Sequence, residues 1–210
     1  MSAPKHKSQL PPRLSKAEIN ELPLIRFQGA IRIAKDAKST ARLVHRLRKQ
    51  RVLGFDIESK PSFSRGTNNP AALLQLATAD QAFLFRLRPL KKLGALKEIL
   101  ENPGIIKTGV AIRDDIKKLR EVEEYKPAGF EDLAPLASSL NFEQTGLRNL
   151  AAIFFGFRIS KSAQLSNWEK NPLSPAQVNY AATDAWISRE LYLIMSARLK
   201  HKGSSHARFT

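Results

Sequence analysis

The spacing of apolar and polar residues changes along the chain, predicting strands mainly in its first half and helices in its second. Apolar or alternating runs typical of strands occupy residues 30–35, 51–58, 71–78, 82–87 and 105–109. Helical spacing occupies residues 36–50, 90–101, 112–122, 131–139, 146–154 and 174–199. Asp36 and the pair Ser174-Pro175 are typical of helix starts. This order of elements predicts one α/β domain with a helical C-terminal half.

The two ends of the chain differ in composition from the part between them. We expect a basic, partly disordered segment over residues 1–27, a folded domain over residues 28–200 and a flexible tail over residues 201–210. No run approaches the roughly 20 apolar residues of a membrane helix, and the N-terminal residues lack the apolar centre of a secretory signal. The chain has no cysteine, which excludes disulfides and thiolate-bound metals. We therefore expect a cytoplasmic protein without a membrane segment.

The strand-like run VLGFDIES, residues 52–59, contains two carboxylates in an otherwise apolar setting. Asp56 and Glu58 are two residues apart, so they point to the same face of a strand. Two carboxylates on one buried face repel each other and lose their water. The arrangement becomes favourable if both hold a cation.

A third candidate ligand lies in the run GVAIRDDIKKLR. At about 100° per residue, Ile112 and Ile116 form one apolar stripe of the predicted helix, and Asp115 lies at its edge while Asp114 points away. Asp115 is therefore predicted to face inward and Asp114 to face water. The alternative is that either residue only caps the helix, which is a common role of Asp at a helix start.

The fourth candidate lies in the run NYAATDAWISRELYLIM. Tyr180 and Asp184 are four residues apart on a predicted helix and share a face with Ile187 and Leu191. A buried Asp is costly unless it is paired or ligated. The alternative is an Asp that is hydrogen-bonded only to the Tyr hydroxyl.

Taken together, Asp56, Glu58, Asp115 and Asp184 suit two divalent cations, Mg²⁺ or Mn²⁺, of the kind used for phosphodiester cleavage. We expect Tyr180 to orient the attacking water, because a free Tyr has a pKa of about 10 and is a poor base at neutral pH.

The net charge of the chain is consistent with a polyanionic partner. It is +16, and residues 1–51 carry 13 Lys and Arg against 3 Asp and Glu. An excess of this size favours nucleic acid, although a solubility tail and an ordinary basic surface would also produce it. The basic predicted helix with Arg42 and Arg46 has the same two interpretations, a phosphate contact or a solvated face.

These motifs resemble the DEDDy branch of the RNase H-like 3′–5′ exonucleases. The pattern D-x-E, a later Asp and Y-x-x-x-D appears here as FDIE, GVAIRDDIKKL and YAATD. The run TGLRNLAAIFFGFRISKSAQLSNWEKNPLSPAQVNYAATDAW is similar to RNase D and to Werner-type exonuclease domains, and FSRGTNNPAALLQLAT is closer to the Werner type. Ala111 departs from the Gly that is usual in Werner-type domains.

The resemblance implies a fold, a reaction and a set of site residues. The fold is a mixed sheet flanked by helices, and the reaction releases nucleoside monophosphates from a 3′ end with two divalent ions. Asp56, Glu58 and Asp184 would hold one ion, Asp56 and Asp115 would reach the second, and Tyr180 would orient the water. By resemblance, substrate contacts fall on Ser59, Lys60, Phe63, Lys161, Ser166, Asn167 and Trp168. Alternatively, Trp168 packs in the core and Lys161 is solvated.

Three functions are compatible with the sequence. We favour a 3′–5′ exonuclease on DNA, because of the Werner-like stretch. The same chemistry on RNA or short oligonucleotides is the first alternative, and recognition of a 2′-hydroxyl would separate the two. A nucleic-acid-binding module without catalysis is the second, and the presence of all four acids and the Tyr argues against it.

Overall fold

The sheet that carries the candidate site is mixed and is covered on both faces by helices. The computed structural model describes residues 10–62 and 69–206, with side chains up to residue 201. The strands of the described residues are β1 (Ala30–Ala34), β2 (Val52–Ser59), β3 (Ala71–Ala77), β4 (Gln81–Arg86), β5 (Ile106–Gly109) and β6 (Phe130–Asp132). Their order across the sheet is β1-β4-β3-β2-β5-β6, with β3 antiparallel to both of its neighbours and the other pairs parallel.

The helices flank this sheet and fill the C-terminal half of the chain. They are α1 (Lys16–Glu21), α2 (Ala37–Leu47), α3 (Leu87–Leu90), α4 (Lys97–Leu100), α5 (Arg113–Val122), α6 (Leu133–Ser139), α7 (Leu147–Phe155) and α8 (Pro175–His206). As the sequence predicts, Asp36 caps α2, with its carboxylate accepting from the Ser39 amide at 2.7 Å. No helix of the described residues is long and apolar enough to cross a bilayer.

Strand β2 separates two parts of the core because its side chains alternate between the two faces of the sheet. Leu53, Phe55 and Ile57 pack with Leu43 and Leu47 of α2. The opposite face of the sheet lies under α8, whose Ala181, Ala182 and Ala185 pack against β3 and β4. The small alanines let α8 lie close to the sheet. Gly54, Asp56 and Glu58 point to this second face, since they alternate with the apolar residues.

Two sequence predictions of secondary structure are wrong in detail. The helix expected over residues 90–101 is replaced by α3, a 3₁₀ turn at Gly94–Leu96 and α4. The backbone at Lys91 and Gly94 has φ of 59° and 52°, which interrupts a right-handed helix. The helix expected over residues 131–139 begins two residues later, because Phe130–Asp132 pairs with β5 as an edge strand.

Parts of both predicted end segments belong to described helices or to the core. Within the expected N-terminal segment, Ser15 caps α1, and Ile19 and Phe27 are buried. At the other end, α8 continues to His206, past the expected start of the tail at residue 201. Residues 1–9 and 207–210 lie outside the described part of the chain.

Candidate active site

Asp56 and Glu58 reach the site from β2, on the face that α8 covers. In the antiparallel ladder with β3, Asp56 lies opposite Gln75 and Glu58 lies opposite Leu73. The ladder changes register between Glu58 and Ser59, where β2 leaves the sheet. Both carboxylates are only partly exposed. The strand therefore fixes two negative charges at its end with little access to water.

Asp115 is positioned by a tight turn between β5 and α5. Ala111 in this turn has φ of 56°, a left-handed conformation that favours glycine. The carboxylate of Asp132 accepts hydrogen bonds from the amides of Ala111 at 3.0 Å and Ile112 at 3.2 Å, so it stabilises the turn. As the helical periodicity predicts, Asp115 faces the candidate site and Asp114 is exposed on another side.

Tyr180 and Asp184 reach the site from α8, whose first turn is tied to the preceding loop. Ser174 and Gln177 cap this turn reciprocally, with the Gln177 amide donating to Ser174 Oγ and the Ser174 amide donating to Gln177 Oε1. Gln177 Nε2 also donates to Ser166 Oγ at 2.9 Å and to the Asn167 carbonyl at 3.0 Å. Gln177 thus links the 160–170 loop to the helix that carries Tyr180 and Asp184.

One cavity of about 460 Å³ brings all five predicted catalytic side chains together. Asp56, Glu58, Asp115, Tyr180 and Asp184 line it. The remaining polar walls come from α7 and the loop that follows it, and they include Arg148, Asn149, Ser160, Lys161 and Gln164. The cavity therefore joins a cluster of acids to at least two cationic side chains. We refer to it as the catalytic cavity.

Burial raises the pKa of every acid in this cluster, and repulsion from neighbouring carboxylates raises it further for Asp56, Glu58 and Asp115. Burial raises the pKa of Asp56, and the nearby Asp184 carboxylate raises it further. Glu58 is affected in the same way by burial and by Asp56, Asp184 and Asp115. Burial, followed by the charge of Asp56, raises the pKa of Asp115 to about 8. Burial also raises the pKa of Asp184, which a hydrogen bond from the Tyr180 hydroxyl partly offsets. A site that makes ionised carboxylates this costly favours a bound cation.

The donor set fits hard divalent cations. One oxygen of Asp184, Oδ1, is buried without a hydrogen-bond partner, and four carboxylates surround the same space. Within the described residues, no three His, Asp or Glu side chains are already gathered as the ligands of one ion.

Tyr180 is placed beside the acids as a neutral phenol. Burial raises its pKa above the usual range, and the charges of Asp184 and Glu58 raise it further. Its ring packs against Trp168, with ring centroids 5.8 Å apart. A phenol held in this state can donate and accept hydrogen bonds but does not act as a base near neutral pH.

The residues predicted to contact substrate lie in different surroundings. Lys161 lines the catalytic cavity and is exposed, and Ser59 lies at its strand end with its hydroxyl accepting from Lys118 Nζ at 3.1 Å. Lys60 is exposed just beyond Ser59. Ser166 and Asn167 bond to Gln177, and the Asn167 side chain accepts from the Glu169 amide, so both shape the loop. Phe63 lies outside the described residues.

Trp168 requires a correction, since the expectation of a nucleotide contact does not agree with its burial. The side chain is 0% exposed and packs with Leu173 and Tyr180. Trp168 therefore packs in the core against the Tyr180 ring, as the alternative prediction states.

Sequence reasoning missed several residues of the site. Arg148 and Asn149 line the catalytic cavity from the first turn of α7, where their polar character in an otherwise apolar helix is a weak signal. Gln75 lies opposite Asp56 with both polar atoms of its amide buried and unpartnered. A polar residue in the middle of the apolar strand AALLQLA was the available signal for Gln75.

Solved structures with low sequence identity share the fold. The EXO domain of *Aedes aegypti* Nibbler superposes with a TM-score of 0.75 at 23% identity, covering 84% of this chain and 93% of that domain. *Escherichia coli* RNase D superposes with a TM-score of 0.75 at 22% identity, covering 82% of this chain and 46% of that one. These neighbours confirm the predicted RNase H-like mixed sheet with flanking helices.

Curated relatives are similar over most of this chain. It is 35% identical over 156 residues to exonuclease 3′-5′ domain-containing protein 2 of *Drosophila melanogaster*, covering 72% of this chain and 26% of the relative. It is 32% identical over 183 residues to the mouse bifunctional 3′-5′ exonuclease/ATP-dependent helicase WRN, covering 82% of this chain and 13% of the relative. It is 32% identical over 165 residues to ribonuclease D of Gluconacetobacter diazotrophicus, covering 77% of this chain and 41% of the relative. The chain thus spans less than half the length of each of these relatives.

The match to a family model has the same extent as the fold and the site described above. Residues 31–200, which include every acid of the catalytic cavity and Tyr180, match the model of the 3′–5′ exonucleases. The chain therefore belongs to the 3′–5′ exonuclease family of phosphodiester hydrolases.

Proposed function

We propose that this chain removes nucleoside monophosphates from the 3′ end of DNA with the help of two divalent cations, Mg²⁺ or Mn²⁺. The observation that carries the proposal is the convergence of Asp56, Glu58, Asp115, Asp184 and Tyr180 on one cavity. Family membership supports the reaction type.

The four carboxylates have the role of holding the cations. The Asp56 carboxylate interacts with each of the other three acids, since Asp184 raises its pKa and its own charge raises the pKa of Glu58 and Asp115. It is therefore the candidate for the ligand shared by both ions. When bound, such ions stabilise the negative charge on the attacking and leaving oxygens of a phosphodiester.

The other side chains of the cavity position the substrate and the attacking water. Tyr180, as a neutral phenol, accepts a hydrogen bond from the water and holds it in line with the phosphorus. Lys161 and Arg148 also line the cavity and supply positive charge for phosphate oxygens, with the Arg148 guanidinium held by a hydrogen bond to Asn20 Oδ1 at 2.7 Å. The acidic side chains of the cavity thus hold metal, and its basic side chains hold phosphate.

DNA is favoured as the substrate on sequence similarity, and RNA is the second candidate. The relative from mouse aligns over 82% of this chain, and the bacterial ribonuclease D aligns over 77% at the same 32% identity. The net charge of +16 suits either polymer. The ribonuclease D similarity is the specific observation that keeps RNA as the alternative.

The test is to incubate 5′-end-labelled DNA and RNA of matched sequence with the protein in Mg²⁺, Mn²⁺ or chelator. We expect a ladder shortened one nucleotide at a time from the 3′ end of DNA, and no cleavage in chelator. Faster shortening of RNA than of DNA would overturn the substrate assignment. Binding of both polymers without any cleavage in either metal would instead indicate a non-catalytic binding module.

A further inference from the structure

The N-terminal segment that contains α1 is docked against the helical half of the domain, although it lies before the region that matches the family model. The amide of Leu14 donates to Gln144 Oε1 at 3.0 Å, and Gln144 Nε2 donates to the Leu14 carbonyl at 2.9 Å. On the other side of α1, Arg158 Nε donates to the Leu22 carbonyl at 3.0 Å. Between these two anchors, α1 buries the side chain of Ile19. The helix is therefore held in a fixed place on the domain.

One residue of α1, Asn20, contacts a side chain of the catalytic cavity. Arg148 Nη2 donates to Asn20 Oδ1 at 2.7 Å, and Arg148 lines the cavity from the first turn of α7. The Nε of Arg148 is buried and has no hydrogen-bond partner in the described part of the chain. Within the described residues, the bond to Asn20 is thus the only hydrogen bond of this guanidinium. It is the contact that restricts the orientation of the Arg148 head group.

The position of Arg148 is unfavourable for the stability of α7 itself. The first turn of a helix carries partial positive charge, so a cation there is repelled. The first turn of α7 contains no acid, and Arg148 forms no ion pair among the residues that the structure describes. Asn20 is neutral, so it can orient the guanidinium without cancelling its charge. An oriented and uncancelled guanidinium suits an anion such as a phosphate oxygen.

We propose that Asn20 is a positioning residue for the exonuclease reaction, which holds the Arg148 guanidinium in the orientation that binds a phosphate of the substrate strand. This inference rests on the proposed function, in which Arg148 meets a phosphate in the catalytic cavity. A long Arg side chain that is already ordered loses less conformational entropy on binding than a free one. Asn20 therefore strengthens substrate binding through Arg148, and α1 becomes a part of the active site.

The first test is the steady-state kinetics of Asn20→Ala with a single-stranded DNA oligonucleotide in Mg²⁺. We expect KM to rise about two- to tenfold, which corresponds to the cost of ordering one long side chain on binding. We expect kcat to remain close to wild type, because the lost interaction is equal in the ground state and the transition state. An unchanged KM, or a loss confined to kcat, would overturn the proposal.

The matched control is Ser15→Ala, which alters the same helix without a change of charge. Ser15 Oγ accepts from the Glu18 amide and the Ser15 amide donates to Glu18 Oε2, so the variant loses the N-terminal cap of α1. It leaves the bond between Asn20 and Arg148 in place, and we expect the wild-type KM. A rise in KM equal to that of Asn20→Ala would mean that the docking of α1 matters and the Asn20 bond does not.

A double-mutant cycle with Arg148→Ala separates positioning from a general structural effect. Fluorescence anisotropy of a labelled oligonucleotide in chelator gives Kd without turnover. Arg148→Ala should weaken binding about tenfold or more, the worth of a hydrogen bond to a charged group. It should also reduce the slope of log Kd against log salt by about 0.7, as expected for one lost phosphate contact on a single strand. Asn20→Ala should weaken binding in the wild-type background and have no further effect in the Arg148→Ala background.

The binding cycle also separates this inference from the proposed function. If wild type cleaves neither DNA nor RNA, the proposed function fails, and the cycle still decides the role of Asn20. Equal effects of Asn20→Ala in the two backgrounds would overturn the positioning role. An unchanged salt slope in Arg148→Ala, or no binding of the oligonucleotide by wild type, would overturn it as well, since Arg148 would then have no phosphate to bind.

Discussion

Gly54 on β2 and Ala185 on α8 lie in backbone contact, so close that a Cβ at Gly54 would collide with the Ala185 carbonyl oxygen. This contact fixes the distance between the strand that carries Asp56 and Glu58 and the helix that carries Asp184. The absence of a side chain at one position therefore brings acids from distant parts of the sequence to one cavity.

Gly54→Ala should destabilise the protein and weaken cation binding together, because α8 must move away from the sheet. We expect the free energy of unfolding to fall by about 3 kcal/mol, at the upper end of overpacking in a core. Chemical denaturation and Mg²⁺ titration would measure the two effects. Gly104→Ala is the control, since an added Cβ there meets only the Asn102 side-chain oxygen at 3.2 Å. Unchanged stability in Gly54→Ala would contradict the close approach.

Asp56→Asn and Asp184→Asn should each abolish metal-dependent cleavage while making the cation-free protein more stable. Each change removes a buried carboxyl group whose pKa is raised by burial and, at Asp56, also by the neighbouring Asp184 carboxylate. Thermal unfolding in chelator should show a higher Tm than wild type, and Mg²⁺ should no longer raise it. Asp114→Asn, at an exposed position, should behave as wild type in both measurements. Normal turnover by either cavity variant would contradict the metal assignment.

The stability of the cation-free protein should fall as pH rises from about 5 to 8. The folded-state pKa of Asp115 is about 8, whereas an unfolded Asp has a pKa of about 3.9. A carboxyl with a raised folded-state pKa contributes stability that is present below the unfolded pKa and is lost as pH rises through the folded one. Mg²⁺ relieves the repulsion among the ionised carboxylates, so it should raise Tm more at pH 8 than at pH 6. The same Mg²⁺ effect at both pH values would argue against direct binding to these carboxylates.

Local patterns along the chain were sufficient to predict most of the elements and the five central residues of the site. The alternation in β2 predicted that Asp56 and Glu58 share a face, and the helical period separated Asp115 from Asp114. Both inferences depend only on residues close in sequence. The interrupted helix at residues 87–100 and the three-residue strand β6 were missed, because they depend on positive φ angles and on pairing with β5.

The supporting residues could not be predicted because their partners are distant in sequence. Asp132 stabilises the turn before Asp115 from 20 or more residues away, and Gln177 ties its helix to the preceding loop. By resemblance Trp168 was a candidate substrate contact, with core packing as the alternative, and the fold packs its ring against Tyr180. Local periodicity indicates which side a residue faces but not which residue it meets there.

Tyr180→Phe should lower kcat about 100-fold or more while leaving Mg²⁺ affinity within a few-fold of wild type. The hydroxyl orients the attacking water, and the rate loss expected on its removal is of the size that positioned general acids and bases contribute. The raised pKa of Tyr180 keeps the phenol neutral at working pH. Single-turnover cleavage and Mg²⁺-dependent Tm shifts measure the two quantities. Tyr192→Phe, two turns further along α8 from Asp184, is the matched control. An unchanged cleavage rate in Tyr180→Phe would remove the water-orienting role.

Gln75→Leu should stabilise the protein and impair cleavage at the same time. Neither Oε1 nor Nε2 of this fully buried amide has a hydrogen-bond partner, and an apolar replacement should raise the free energy of unfolding by about 1–2 kcal/mol. Directly opposite residues in an antiparallel ladder have Cβ atoms roughly 5 Å apart, so the amide can donate to the ionised Asp56 carboxylate. Its loss should therefore weaken Mg²⁺ binding and lower kcat/KM at least tenfold, an estimate based on the worth of a hydrogen bond to a charged group.

The control for Gln75 is Tyr125→Phe, which removes another buried, unpartnered polar atom from the core cluster on the other face of the sheet. Tyr125→Phe should stabilise the protein without changing cleavage. If Gln75→Leu does the same, its amide is only an unsatisfied core group. If Gln75→Leu is more stable but cleaves slowly and needs more Mg²⁺, the amide orients Asp56, and the unpaired polar group in the free protein is the cost of a carboxylate held ready for its ion.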